Sequence, residues 1–281
     1  MGDITTLETH RSFGGVQGFY EHASRVVGLP MRFGVFVPPQ ARPGPLPVLY
    51  CLAGLTCNEQ TFALKAGAQQ HAARHGIVLV TPDTSPRDTG VVEADAAWDF
   101  GTAASFYVDA TREPYARHWR MEGWLLEELP QVLEAHFPVR RDRSGILGHS
   151  MGGHGALTLA LRHPGTFRTV SALAPICAPT EVPWGQKAFR GYFGEDTKLW
   201  DAHDAVKLIA QGARAPGLLV DQGLADQFLA AQLRPERLEQ VCRASGQPLA
   251  LRRHEGYDHG YFCIATLMGE HVAHHAEGLG G

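Results

Sequence analysis

The stretch Arg143-Ser144-Gly145-Ile146-Leu147-Gly148-His149-Ser150-Met151-Gly152-Gly153 limits the possible folds more than any other part of this chain. A short apolar run ends in a G-x-S-x-G pattern, and an Ala/Leu-rich helical pattern follows over residues 154–161. The expected order is strand, sharp turn, helix. In such a turn the serine takes a strained backbone conformation, and the flanking glycines let strand and helix approach where any Cβ would clash. The serine hydroxyl is then pushed out over the edge of the sheet.

The rest of the chain supplies a setting for that turn. Residues 19–27 and 32–37 read as two extended segments of an antiparallel edge, and residues 38–47 as a proline-rich loop. Residues 48–52 form a nearly continuous apolar run of the kind buried on both faces. A helix over 60–74 and a second buried strand over 77–81 complete a βαβ unit. Residues 82–118 lack periodicity but hold many Asp, Gly, Thr and aromatic residues, so a long functional loop is expected. Residues 122–137 are amphipathic, with the apolar stripe expected to pack in the core. A strand over 169–173 leads into an irregular segment rich in Pro, Gly, Trp and Phe, read as an insertion of about 175–200 that caps the site.

Helix 202–210, strand 218–221, a loop with Asp226, helix 235–244, strand 249–253, a loop with His259 and a last helix to residue 276 follow. This alternation predicts a mostly parallel sheet with helices on both faces, an α/β architecture. No linker divides the 281 residues, so a single domain with one small insertion is expected.

Composition narrows the partners. The chain is 44% apolar and 19% charged, with a formal net charge of −4 and its 25 basic residues scattered, so no footprint for nucleic acid is present. A small-molecule substrate fits better. Five cysteines (51, 57, 177, 242 and 263) without a C-x-x-C pair argue against both a disulfide framework and a zinc ribbon, and point to a reducing cytosol. No signal-peptide pattern and no run of 18 apolar residues occurs, so no membrane span is expected. Met1-Gly2-Asp3-Ile4-Thr5-Thr6 fits the loose myristoylation pattern but lacks an adjacent basic patch, and is read as chance. His271, His274 and His275 recur at helical spacing without an accompanying carboxylate or cysteine; they are expected to be solvated rather than to bind metal.

A serine hydroxyl needs a histidine to take its proton and an acid to orient that histidine. In open α/β sheets such groups come from loops at the carboxyl ends of strands. Asp226 follows one such strand and His259 the next, giving the order Ser150, Asp226, His259 that α/β-hydrolases use. Asp221 and His254, each at a strand end, are the alternatives; placement in the loops favours Asp226 and His259. Two N–H groups must meet the oxyanion of the transition state. Met151 follows the nucleophile, and Leu55 lies in the loop after the first core strand.

Several longer motifs resemble one family, the S-formylglutathione hydrolases (esterase D). They are Pro30-Met31-Arg32-Phe33, Leu52-Ala53-Gly54-Leu55-Thr56-Cys57, Asp99-Phe100-Gly101-Thr102 through Phe106-Tyr107-Val108-Asp109, Gly148-His149-Ser150-Met151-Gly152-Gly153-His154, Pro183-Trp184-Gly185-Gln186-Lys187, Asp221-Gln222-Gly223 with Asp226, and Gly256-Tyr257-Asp258-His259. The resemblance covers almost the whole chain. It implies the α/β-hydrolase fold, with Ser150 as nucleophile, Asp226 as orienting acid, His259 as base, and Leu55 with Met151 as oxyanion donors. It also implies hydrolysis of S-formylglutathione to formate and glutathione, the last step of formaldehyde removal, by a cytosolic homodimer without a cofactor. A broad carboxylesterase and an acyltransferase are the alternatives on the same fold. Cys57 matches a family cysteine near the active site that is associated with sensitivity to thiol reagents, which makes it a candidate modulator with an inert buried thiol as the alternative, and Trp184 and Lys187 are expected pocket and substrate-carboxylate contacts. The chain departs from the family pattern at Gly260, Phe262-Cys263 and Ala53.

Overall fold

Apolar runs that alternate with helical segments must bury both faces, and here they do so by pairing side by side. The computed structural model describes residues 3–41 and 44–280. Met1 and Gly2 of the myristoylation pattern, and Arg42 and Pro43 of the proline-rich loop, lie outside them. Among the described residues the strands are β1 (Ile4–Ser12), β2 (Gly15–Ala23), β3 (Pro30–Val37), β4 (Leu46–Leu52), β5 (Val78–Pro82), β6 (Val139–His149), β7 (Thr169–Leu173), β8 (Leu218–Gly223) and β9 (Leu249–His254). They form one sheet in the order β1-β2-β3-β5-β4-β6-β7-β8-β9. Pairing is antiparallel from β1 through β3 to β5, and parallel from β5 onward. β5, β7 and β8 are buried along their whole length, which is why their sequences read as continuous apolar runs.

Five local features differ from the sequence reading, each for a physical reason. The antiparallel edge has three strands rather than two. β1 is polar and exposed along almost its full length, so it carries no alternation to detect, and its register is set by a two-residue turn at Phe13 (φ 45°) and Gly14 (φ 79°). The expected helix over 60–74 is two helices, Glu59–Lys65 and Ala68–His75, separated at Gly67, whose φ of 66° only glycine adopts without strain. The helix expected over 122–137 opens into a π turn at Trp124–Glu128 ahead of Leu129–His136. Pro130 has no N–H for the carbonyl of Leu126, which instead accepts a hydrogen bond from Arg141 Nη2 at 3.3 Å.

The segment expected to be irregular after residue 175 contains the helices Pro183–Phe193 and Thr197–Asp201. Pro183 occupies the first helical turn, where its missing N–H costs nothing, so the proline that suggested a loop starts a helix.

The last helix, Tyr261–Leu279, overturns the expectation of solvated histidines. His271 and His275 are fully buried between this helix and the sheet. The Asp221 carboxylate accepts from Arg252 Nε at 2.6 Å and from His271 Nε2 at 3.0 Å. His271 Nδ1 in turn accepts from Ser171 Oγ at 2.9 Å; Ser171 Oγ accepts from His275 Nε2 at 2.8 Å; and His275 Nδ1 accepts from Thr169 Oγ1 at 2.6 Å. One proton per imidazole satisfies every link. Burial pushes both histidines below their ordinary value, which keeps them in that neutral form. Among the described residues no group of three or more His, Cys, Asp or Glu side chains is disposed to hold a metal ion, and no helix is long and apolar enough to cross a membrane.

Burial alone would raise the Asp221 carboxyl, but hydrogen bonds from His271 and Arg252 hold it well below the usual carboxylate range. A depressed folded value means the stabilisation is fully present above the unfolded value of about 3.9 and is lost as pH falls through the folded value. Asp221→Asn should therefore lower stability at pH 7 by about 1–3 kcal/mol and flatten the acid limb below about pH 4, as read by urea unfolding across that range.

Candidate active site

β6 ends at His149 and the helix Met151–Arg162 starts two residues later, leaving Ser150 alone at φ 59° and ψ −118°. A non-glycine residue held there stores about 1–3 kcal/mol of strain. Its backbone is pinned on both sides. Ser150 N–H donates to the Leu173 carbonyl at 3.0 Å, and the Ser150 carbonyl accepts from His154 N at 3.0 Å and Ile176 N at 3.3 Å. The two glycines of the motif are required by contact: a Cβ at Gly148 would lie 1.9 Å from the Gly152 carbonyl oxygen, and one at Gly152 would lie 2.1 Å from that of Leu52.

His259 Nδ1–H donates to Asp226 Oδ2 at 2.6 Å. The same carboxylate accepts from Gln222 Nε2 at 3.1 Å and from Phe228 N at 2.8 Å, and its side chain is fully shielded from solvent. With Nδ1 committed as donor, Nε2 is left as the basic nitrogen of the ring. The ring packs between His149, with centroids 4.7 Å apart, and Phe228 at 5.1 Å. Burial holds His149 well below its ordinary value, so a neutral ring and not a second cation stands beside His259.

Ser150 and His259 line one cavity of about 340 Å³. Leu55, Cys57, Trp98 and Trp184 share it. The loop after β4 that carries Leu55 is braced from below by the segment expected to be a functional loop. Thr56 sits at φ 66°, unusual for a β-branched residue, with its N–H donating to the Ala103 carbonyl at 3.0 Å. The Tyr107 hydroxyl donates to the Ala53 carbonyl at 2.8 Å, and Phe106 N–H to Met151 Sδ at 3.4 Å. Phe106 and Tyr107 are buried and themselves have positive φ. Among the described residues neither the Leu55 nor the Met151 N–H is used in a turn or cap. Both flank Ser150.

The remaining expected residues divide. Cys57 is partly buried, and burial pushes its thiol up, offset in part by the neighbouring Tyr261 and Thr61 hydroxyls. Trp184 is buried, with its ring 5.5 Å from that of Trp98 and 4.8 Å from that of Phe228. Lys187 lies outside the cavity lining, and its ammonium is bound to Asp99. The alternatives Asp221 and His254 are paired with each other at 3.1 Å, within the Arg252 network. Lys65 and Tyr261 also line the cavity but were not singled out in the sequence, because each sits at a helix end with no motif around it.

The esterase family model matches residues 24–275. Together with the mostly parallel sheet, this makes the chain an esterase of the α/β-hydrolase fold. The S-formylglutathione hydrolase of Mus musculus is 48% identical over 278 residues, covering 98% of this chain and 99% of the relative. That of Rattus norvegicus is 46% identical over 279 residues, covering 99% of both. The solved structure of an S-formylglutathione hydrolase from Agrobacterium tumefaciens superposes with a TM-score of 0.95 at 42% identity, covering 98% of this chain and 99% of the other. The chain belongs to the S-formylglutathione hydrolase family.

The contact at Gly152 predicts that Gly152→Ala forces the elbow helix away from β4. Overpacking of this kind should cost about 1–3 kcal/mol in thermal unfolding. Displacement of Ser150 should lower esterase kcat by about 100-fold in the folded fraction.

Proposed function

We propose that this enzyme hydrolyses S-formylglutathione to formate and glutathione through a formyl-serine intermediate. The observation that supports it best is the 2.6 Å hydrogen bond from His259 to a shielded Asp226, at the rim of a cavity it shares with Ser150. In the first step Ser150 Oγ attacks the formyl carbon while His259 Nε2 takes the hydroxyl proton. Asp226 holds the tautomer and stabilises the imidazolium. The oxyanion is met by the Leu55 and Met151 N–H groups, and the start of the elbow helix adds its dipole. The C–S bond then breaks, His259 returns the proton to the thiolate, and glutathione leaves. Water repeats the sequence on the formyl ester and releases formate.

A thiolate is already a good leaving group, so nucleophile activation and oxyanion stabilisation are the enzyme's main contributions. Segment 175–200 caps the site in this reading, with Trp184 as a pocket wall, and Cys57 modulates activity from its place in the lining. Lys187 is committed to Asp99, so it ties the Trp98 loop to the cap rather than meeting the substrate carboxylate. The physiological form is taken to be a cytosolic homodimer completing formaldehyde removal.

The test is the ratio of kcat/KM for S-formylglutathione to that for p-nitrophenyl acetate. A ratio far above one, lost in Ser150→Ala, is expected; a ratio near or below one makes the enzyme a broad esterase. Asp226→Asn should reduce kcat by about 10⁴-fold, because it favours the wrong imidazole tautomer. An Asp226→Asn enzyme within tenfold of wild type would leave the acid unassigned.

A further inference from the structure

We infer that Lys65 selects for a leaving thiol that carries a free carboxylate, pairing with the glycyl carboxylate of the substrate; this rests on the S-formylglutathione reading above. Among the described residues lining the cavity, Lys65 is the one permanently charged side chain. The others are glycine, apolar, aromatic, hydroxyl or thiol groups, together with His259 and the neutral His149. An anionic end of a substrate that enters here has one fixed cation to meet.

That cation is also uncommitted. Lys65 is exposed at the end of the helix Glu59–Lys65, with its ammonium 5.8 Å from the centroid of the Tyr261 ring. No carboxylate among the described residues lies within ion-pair distance of it. Two other cations near this rim are taken. Lys187 is bound to Asp99, and Arg87 Nη2 is 2.6 Å from Asp83 Oδ1 with a further bond to the Cys57 carbonyl. The Tyr261 ring, half-buried against Phe62, faces the ammonium without neutralising it.

The chemistry of glutathione decides which end Lys65 receives. Its glutamyl α-carboxylate stands beside its own ammonium, whereas the glycyl carboxylate stands alone and is the net negative end. A lysine in the last turn also favours the helix dipole, but that role bears on stability and not on discrimination between substrates.

The experiment compares wild type, Lys65→Gln and Lys65→Arg on S-formylglutathione and on its glycinamide analogue, in which that carboxylate is a neutral amide. Wild type should prefer S-formylglutathione. Lys65→Gln should raise KM for S-formylglutathione about fivefold, the loss falling on KM rather than kcat, and should shrink the preference over the glycinamide by the same factor. Lys65→Arg should restore it. Unchanged KM in Lys65→Gln, or an equal loss on the glycinamide analogue, overturns the inference while leaving the hydrolase reading intact. A wild-type enzyme that does not turn over S-formylglutathione removes the reading and the inference together.

Discussion

Ser150 can keep φ 59° and ψ −118° because both sides of its peptide are tied to neighbouring elements: its N–H to the end of β7, its carbonyl to the elbow helix and to Ile176. Everything that approaches the serine must respect that geometry. Gly148 and Gly152 leave room for the helix to cross the ends of β6 and β4, and a Cβ at Gly54 in the neighbouring loop would lie 3.1 Å from Ser150 Cβ. The strain is local, and the surrounding hydrogen bonds over-determine it.

The same device is repeated around the site. Thr56, Ala103, Phe106 and Tyr107 all have positive φ, and each lies in a segment that touches the elbow or the loop after β4. A relaxed backbone at these positions would not hold the loop after β4 against the elbow. Rigidity here comes from burial: Ser105, Phe106 and Tyr107 are inaccessible, so within the segment 82–118 residues 103–108 form a packed support. Asp226 and His259 are held differently, by hydrogen bonds within a short loop after β8 and by aromatic contacts with His149 and Phe228.

A second polar system lies under the last helix and is kept apart from the first. Asp221 lies within β8 and engages Arg252 and His271, while Asp226 stands only five residues further on and engages His259. The division follows from position: a residue inside the strand faces the packed helix, and one in the loop beyond it reaches the cavity. Two acids close in sequence thereby join two separate hydrogen-bond systems.

By itself the sequence determined the elements whose signal is local. The elbow was legible because glycine is the only residue that fits Gly148 and Gly152, and β5, β7 and β8 because a strand buried on both faces must be apolar throughout. The order of Ser150, Asp226 and His259 along the chain was legible for the same reason, since each follows its own strand. Tertiary structure decided what depends on partners distant in sequence. β1 exists because β2 pairs with it, and His271 and His275 are buried because Ser171 and Thr169 offer them hydrogen bonds from about 100 residues away. Lys187 pairs with Asp99 and Lys65 stays unpaired, though the two lysines look alike in sequence. Hydrogen bonds and ion pairs between distant segments are set by the packed fold, and no local pattern encodes them.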